Sequence, residues 1–176
     1  MSQLIAQHVC AIPDFPIPGI LFRDITPVLS NPAAFEECIH LLAQRLTGLP
    51  GGMPDAVVGI ESRGFIFGAP LALRLGIPFL PVRKPGKLPR KTLRVEYLKE
   101  YGTDVLELHA DAVTRGDRIA IVDDLLATGG TASAAGRMVR EAGGTLAAYA
   151  FVIELEGLRG RAHLEQGVPV EALLQY

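Results

Sequence analysis

Two adjacent carboxylates, Asp123 and Asp124, stand just upstream of a short run of small and hydroxylated residues, Ala127-Thr128-Gly129-Gly130-Thr131. Glycines let the backbone turn sharply and aim its N–H groups at a ligand, and the two threonines add hydroxyl donors. That set suits one phosphate group. Carboxylates beside a phosphate would repel it, so the acids must face something else. Sugar hydroxyls, or a divalent cation carried by the ligand, would satisfy both charges. A phosphate next to a diol is a ribose 5-phosphate. A turn carrying two solvated acids is the plainer alternative, and it leaves the shared register of acids, threonines and glycines unexplained.

The flanking elements explain how these groups could be held. Arg118 to Val122 is mostly apolar and β-branched, which predicts a buried parallel strand ended by the two acids. Ala135, Met138, Val139 and Ala142 then recur at helical spacing. A helix starting after the glycines would offer free N–H groups and the positive end of its dipole to the same anion. No Gly-Lys-Ser/Thr follows, so this is not a P-loop, and the dinucleotide pattern G-x-G-x-x-G is absent. A second strand, turn and helix precede it: Asp55 to Ile60, then Glu61-Ser62-Arg63-Gly64, then Phe65 to Leu75. Such turns at strand C-termini are where ligands bind in open α/β sheets. Taken alone, Arg63 would more simply pair with an acid.

Between these two units the charge changes abruptly. Arg83, Lys84, Lys87, Arg90, Lys91 and Arg94 fall in a stretch with no acid, kept irregular by Pro85, Gly86 and Pro89. A basic run can be a solvated face or a nucleic-acid patch, but no aromatic residue interleaves these charges. They would also suit a ligand carrying several negative charges. Asp104 to His109 alternates as a half-buried strand, with His109 read as structural.

The remaining chain reads as scaffold. Gln3 to Ala11 predicts a short helix. Pro13, Pro16 and Pro18 then favour extended chain. Gly19 to Pro27 reads as a strand and turn, at its plainest a small edge hairpin. Ser30 or Asn31 can cap a helix with Pro32 at its first position, and Phe35, Ile39, Leu42 and Leu46 form its buried face. Gly76 to Pro81, Thr145 to Ile153 and Val168 to Leu174 read as strands, and Gly157 to Leu164 as a short basic helix.

With 176 residues, one domain and a substantial core are expected. A net charge of −2 creates no global field calling for nucleic acid or an anionic membrane. Cys10 and Cys38 fall in predicted helical segments without metal-ligand spacing, and free thiols in a reducing compartment are expected. The sequence shows no signal peptide, lipidation motif or membrane-length apolar run, so a soluble cytoplasmic protein is expected.

Several stretches together resemble one family. RIAIVDDLLATGGTASAAGRMV, residues 118–139, is similar to the phosphoribosyl-diphosphate (PRPP) signature of the type I phosphoribosyltransferases, and its ATGGT loop resembles that of the adenine-using members. FPIPGILFRDITPVL, residues 15–29, resembles the N-terminal hood of those members. ESRGF resembles the diphosphate loop, where a non-proline cis peptide is frequent. The basic run resembles a mobile loop, and Glu100-Tyr101-Gly102 matches the end of that loop.

The resemblance implies a doubly wound, mostly parallel α/β sheet of about five strands, a single domain over 1–176, with residues 1–31 forming most of a base-binding hood. It implies transfer of the 5-phosphoribosyl group from PRPP to adenine, giving AMP and diphosphate in purine salvage. Ala127, Thr128, Gly129, Gly130 and Thr131 would hold the 5-phosphate, and Asp123 and Asp124 the ribose. Ser62, Arg63, Arg83, Lys84, Lys87 and Tyr101 would meet the diphosphate. Leu21, Phe22 and Arg23 would hold adenine, the first and last largely through backbone groups. Glu100 would be the catalytic acid–base residue. Mg²⁺ would ride on PRPP near Asp123 and Asp124, with no direct ligand assigned. A homodimer is implied, with Arg83 a candidate to cross its interface, and no nucleic-acid or membrane partner. Two alternatives remain at this level: a transferase for hypoxanthine or xanthine, and a non-catalytic PRPP-sensing regulator.

Overall fold

The computed structural model describes residues 2–98 and 102–176. Helix α1 (Gln3–Gln7) leads into a hairpin of β1 (Cys10–Pro13) and β2 (Leu21–Asp24), followed by α2 (Thr26–Ser30) and the long α3 (Pro32–Thr47). Strand β3 (Ala56–Ile60), α4 (Arg63–Leu75) and β4 (Phe79–Val82) come next. A second hairpin, β5 (Thr92–Leu98) and β6 (Thr103–His109), precedes β7 (Arg118–Leu126), α5 (Gly130–Glu141), β8 (Thr145–Glu154) and β9 (Val170–Gln175).

Five strands form the central sheet in the order β4-β3-β7-β8-β9, all neighbours parallel. This is the expected doubly wound α/β architecture. Alternate residues of each strand feed opposite faces. Val57, Ala120, Val122, Ala148 and Ala150 pack with α3 and α4 on one side. Val58, Ile60, Ile119, Ile121, Tyr149 and Phe151 pack with α5 and the β5–β6 hairpin on the other. From β3 the chain steps outward to β4 through α4, and from β7 it steps the opposite way to β8 through α5. Right-handed crossovers in opposite directions put the two helices on opposite faces and open a crevice between β3 and β7. Both sequence-predicted ligand turns leave strands at that crevice.

Asn31 caps α3 as expected, its side chain accepting from the Ala34 N–H at 3.0 Å with Pro32 following. Other expectations need correction. The first helix stops at Gln7, where His8 closes onto the Leu4 carbonyl and meets Asn31, so Cys10 lies exposed on β1 and not in a helix. Strand β7 continues through Asp123 and Asp124 to Leu126, because the ten-residue β8 supplies partners as far as Glu154. The predicted helix over Gly157 to Leu164 is two 3₁₀ turns, divided at Arg159, which has a left-handed backbone (φ 52°). The basic run turns regular earlier than expected, with Thr92 to Leu98 paired along β6.

Candidate active site

Ala127 to Thr131 line an open cavity of about 200 Å³ together with Arg63, Asp123 and Asp124. Helix α5 begins at Gly130 with no side-chain cap, so its first N–H groups are available to an anion. Gly129 takes φ 84°, and a Cβ there would lie 2.4 Å from the Gly160 carbonyl oxygen. Only glycine satisfies both demands. The turn after β8 therefore buttresses the loop from behind.

Asp124 is 4% exposed, and its Oδ2 lies 3.0 Å from Arg63 Nε. Asp123 Oδ1 accepts the Asp124 N–H at 3.0 Å. Burial, and next the Asp124 charge, push the Asp123 carboxyl well up. Burial also raises Asp124, although the Arg63 guanidinium pulls the other way. Two acids held at such a cost to folding need a compensating cationic or hydroxyl-bearing partner. Gly64 makes this approach feasible, since a Cβ there would sit 2.7 Å from the Val122 carbonyl oxygen and 3.0 Å from Asp123 Oδ1.

A second cavity, of about 420 Å³, adjoins Arg63 from the hairpin side. Ile12, Phe15, Phe22, Ile25, Leu29 and Ile66 make it largely apolar, and Asp24 and Thr26 complete it. Phe15 and Phe22 meet edge to face with ring centres 5.1 Å apart. In contact with each other, the two rings form an aromatic wall that could flank a flat heterocycle. Phe22 is thus one wall of this cavity. Leu21 and Arg23 alternate away from this cavity, and Arg23 stacks over the Tyr176 ring at 4.0 Å. Sequence reasoning missed Phe15, Ile25 and Ile66 as lining residues. The Phe15-Pro16 pair that opens the hood motif was the available signal.

The basic run is largely neutralised by acids from elsewhere. Arg83 Nε and Lys87 Nζ reach Glu61 at 3.3 and 2.5 Å, and the Lys84 N–H donates to the same carboxylate at 3.0 Å. Lys84 Nζ pairs with Asp104, Arg90 with Asp111 and Arg94 with Glu107. Glu61 begins the Glu61-Ser62-Arg63-Gly64 turn, where the Glu61–Ser62 peptide is cis. The structure therefore gathers Ser62, Arg63, Arg83 and Lys87 around one turn, with Lys84 directed to the β5–β6 hairpin. Glu100 and Tyr101 lie outside the described residues. Among the described residues, no group of three or more His, Cys, Asp or Glu is placed to hold a metal ion.

Glu61 was not singled out from sequence, yet it organises the arm. Burial alone would raise its carboxyl, but Lys87, the Lys84 N–H and Arg83 outweigh that and hold it at about 2, below the ordinary 4.5. A depressed carboxyl stabilises the fold above its unfolded value, and that contribution is lost as pH falls through the folded one. The Tm gap between wild type and Glu61→Gln should therefore be constant above about pH 4.5 and close toward pH 2. A gap that does not change with pH would show that the carboxylate charge is not what holds the arm.

Comparison with known proteins decides among the sequence-level alternatives. A family model described as phosphoribosyl transferase domain matches residues 24–166. An adenine phosphoribosyltransferase of Roseiflexus sp. is 54% identical over 176 residues, covering 100% of both chains. The chain belongs to the adenine phosphoribosyltransferases, within the type I family. Another adenine phosphoribosyltransferase, from Synechococcus sp. (strain CC9605), is 56% identical over 170 residues, covering 97% of each chain. Among solved adenine phosphoribosyltransferases, that of Thermoanaerobacter pseudethanolicus superposes with a TM-score of 0.92 at 50% identity, covering 98% of each chain. That of Saccharomyces cerevisiae, solved with an imino-altritol bisphosphate and adenine, has a TM-score of 0.89 at 42% identity and covers 97% of each. The fold expected of this phosphoribosyltransferase family is the fold observed.

Proposed function

We propose that the protein transfers the 5-phosphoribosyl group of PRPP to adenine, releasing diphosphate and forming AMP in purine salvage. One observation carries the reading: Arg63 lines both cavities, so an anion cradle with an acid pair adjoins an apolar pocket with aromatic walls. A phosphorylated sugar on one side and a flat base on the other would meet at C1′ beside that arginine.

In this reading Ala127 to Thr131 hold the 5-phosphate through loop and helix N–H groups, while Asp123 and Asp124 accept from the ribose hydroxyls. Ser62, Arg63, Arg83, Lys84, Lys87 and Tyr101 receive the diphosphate. The bond from C1′ to the diphosphate oxygen breaks with its electron pair leaving on that oxygen. C1′ becomes oxocarbenium-like, and N9 of adenine attacks from the opposite face. Glu100 assists the departure or relocation of the imidazole-ring proton. Catalysis is then mostly positioning and electrostatics.

The hood supports base reading by backbone atoms. An antiparallel ladder alternates pairs that exchange both backbone hydrogen bonds with pairs that exchange none. Pro13 lies opposite Leu21 and has no N–H to exchange, which favours the second kind for that pair and for Ala11–Arg23. Leu21 and Arg23 would then turn their N–H and C=O groups away from β1, toward an incoming edge. Residues 1–31 would supply most of this hood within a single domain.

Two adjacent carboxylates can give a divalent cation only part of a ligand shell, which fits Mg²⁺ arriving on PRPP with its remaining ligands from the substrate and water. Bound there, the ion would stabilise charge on the departing diphosphate. A homodimer with Arg83 near its interface, and a cytoplasmic location, complete the proposal. Among the described residues no helix is long and apolar enough to cross a membrane.

The test is AMP formation by purified protein with PRPP, Mg²⁺ and each purine in turn. Absence of adenine-dependent diphosphate release would remove the reading. Lys87→Ala should also weaken diphosphate binding and flatten its dependence on salt, because one counter-charge is gone. Unchanged salt slopes would take Lys87 out of the diphosphate site.

A further inference from the structure

Tyr97 lies on β5, 6% exposed, its ring packed in the cluster that also holds Met138 and Phe151. Its hydroxyl is the meeting point of three elements. Thr131, in the first turn of α5, donates to it at 3.3 Å. Lys84, on the basic arm, donates to it at 3.4 Å. The hydroxyl itself donates to Asp104 Oδ2 at 3.1 Å, and Asp104 is its register partner across the hairpin. Lys84 is ion-paired to the same Asp104 oxygen, and its ammonium stands 5.8 Å from the Tyr97 ring centre. One phenol oxygen therefore bridges a residue of the phosphate loop to a residue of the basic arm.

We propose that Tyr97 is a positioning residue that ties Thr131 to Lys84, so that the two anion-binding ends of the site are set as one unit. The proposal rests on the functional reading above. Lys84 and Asp104 fix the direction of the phenol O–H, and the phenol oxygen fixes the rotamer of Thr131. Thr131 gives its single hydroxyl proton to that oxygen, so what it offers a bound phosphate is its backbone N–H; without the phenol its side chain samples the other staggered rotamers, and the first turn of α5 that presents this N–H is set less firmly. Buried hydrogen-bonded chains of this kind behave non-additively. The simpler account, that the bonds merely satisfy a buried phenol, predicts no energetic link between the two ends.

A double-mutant cycle separates these accounts. Affinity for ribose 5-phosphate is measured by calorimetry for wild type, Lys84→Ala, Tyr97→Phe and the double variant. Phenylalanine keeps the ring packing and deletes only the hydroxyl. Lys84→Ala should weaken ribose 5-phosphate, which lacks the diphosphate, by about threefold more in wild type than in the Tyr97→Phe background. Long-range loss of the lysine charge acts equally in both backgrounds and cancels. Asp104→Ala, which removes the carboxylate that accepts from both Lys84 and the phenol, should likewise reduce the Lys84 effect. KM for adenine should stay within about twofold in Tyr97→Phe, because Tyr97 does not line the base pocket. Additive losses, or no effect of Lys84→Ala in wild type, would overturn the proposal while leaving the functional reading intact. Wild-type protein that binds neither ribose 5-phosphate nor diphosphate would overturn both.

Discussion

Adenine should be preferred over hypoxanthine by about 30-fold to 10⁴-fold in kcat/KM. Adenine offers a donor at its 6-amino group and an acceptor at N1. Hypoxanthine offers the reverse, an acceptor at O6 and a donor at N1. If backbone C=O and N–H groups of Leu21 and Arg23 read this edge, they cannot exchange roles. Hypoxanthine then brings two pairs together like to like, each unsatisfied buried group costing roughly 1–3 kcal/mol. Arg23→Ala removes the stacking on Tyr176 but leaves the backbone, so it can slow the reaction without changing the order of preference. Steady-state kinetics with both bases, in wild type and in that variant, provide the measurement. A wild-type preference below about tenfold would remove the adenine assignment. A preference lost only in Arg23→Ala would assign the reading to the side chain.

Replacing Asp123 and Asp124 together by asparagine should cost PRPP affinity about 10²-fold or more while leaving the folded protein at least as stable. Charge-assisted bonds contribute roughly 1.5–3 kcal/mol each, and two such bonds are lost. Stability should move the other way. Both carboxyls are held above their ordinary values, chiefly by burial. Acids raised in this way favour the folded state below the unfolded value, and that contribution disappears as pH rises through the folded value. At neutral pH their ionised forms therefore strain the ligand-free fold, a trade of stability for function. The asparagine variant should show a Tm equal to or above wild type at pH 7, and lose the part of the pH dependence that these acids create. Calorimetric titration with PRPP and Mg²⁺ and a thermal melt are the two readouts. Unchanged affinity would sink the ribose assignment.

The sequence is most informative where function depends on a few neighbours in the chain. Asp123, Asp124 and the loop to Thr131 are contiguous, so their joint chemistry can be read before any fold is known. Ser62 and Arg63 are legible as a turn after a strand, and the order of strands then brings that turn to the acids. Strand ends are less legible, since the length of a ladder depends on its neighbours: β7 runs past both acids because β8 continues beside it. The 3₁₀ turns after β8 were read as one helix because the left-handed residue that divides them, Arg159, carries no glycine signal. Glu61 and Tyr97 were hidden for a different reason. Each matters through partners on other elements, at least seven residues away, and nothing in a lone carboxylate or phenol announces them. The acid-free basic run invited a reading of free cations, whereas the fold supplies Glu61, Asp104, Glu107 and Asp111 from outside it.

The central sheet divides the hydrophobic interior into two separate clusters, one under α3 and α4 and one under α5 and the β5–β6 hairpin. The crevice lies at their seam, with Arg63 and Ser62 at the head of α4 and the Ala127 to Thr131 loop at the head of α5. A substrate seated there acts as a cross-tie between two otherwise separable cores. Local opening of either face must first break contacts with the ligand, so the free-energy gap RT ln(1 + [L]/Kd) is added to both openings at once. Amide exchange in α4 and α5, independent in the empty protein, should slow by a common factor once PRPP is bound. The molecule then gains in cohesion from its substrate what its divided interior does not provide.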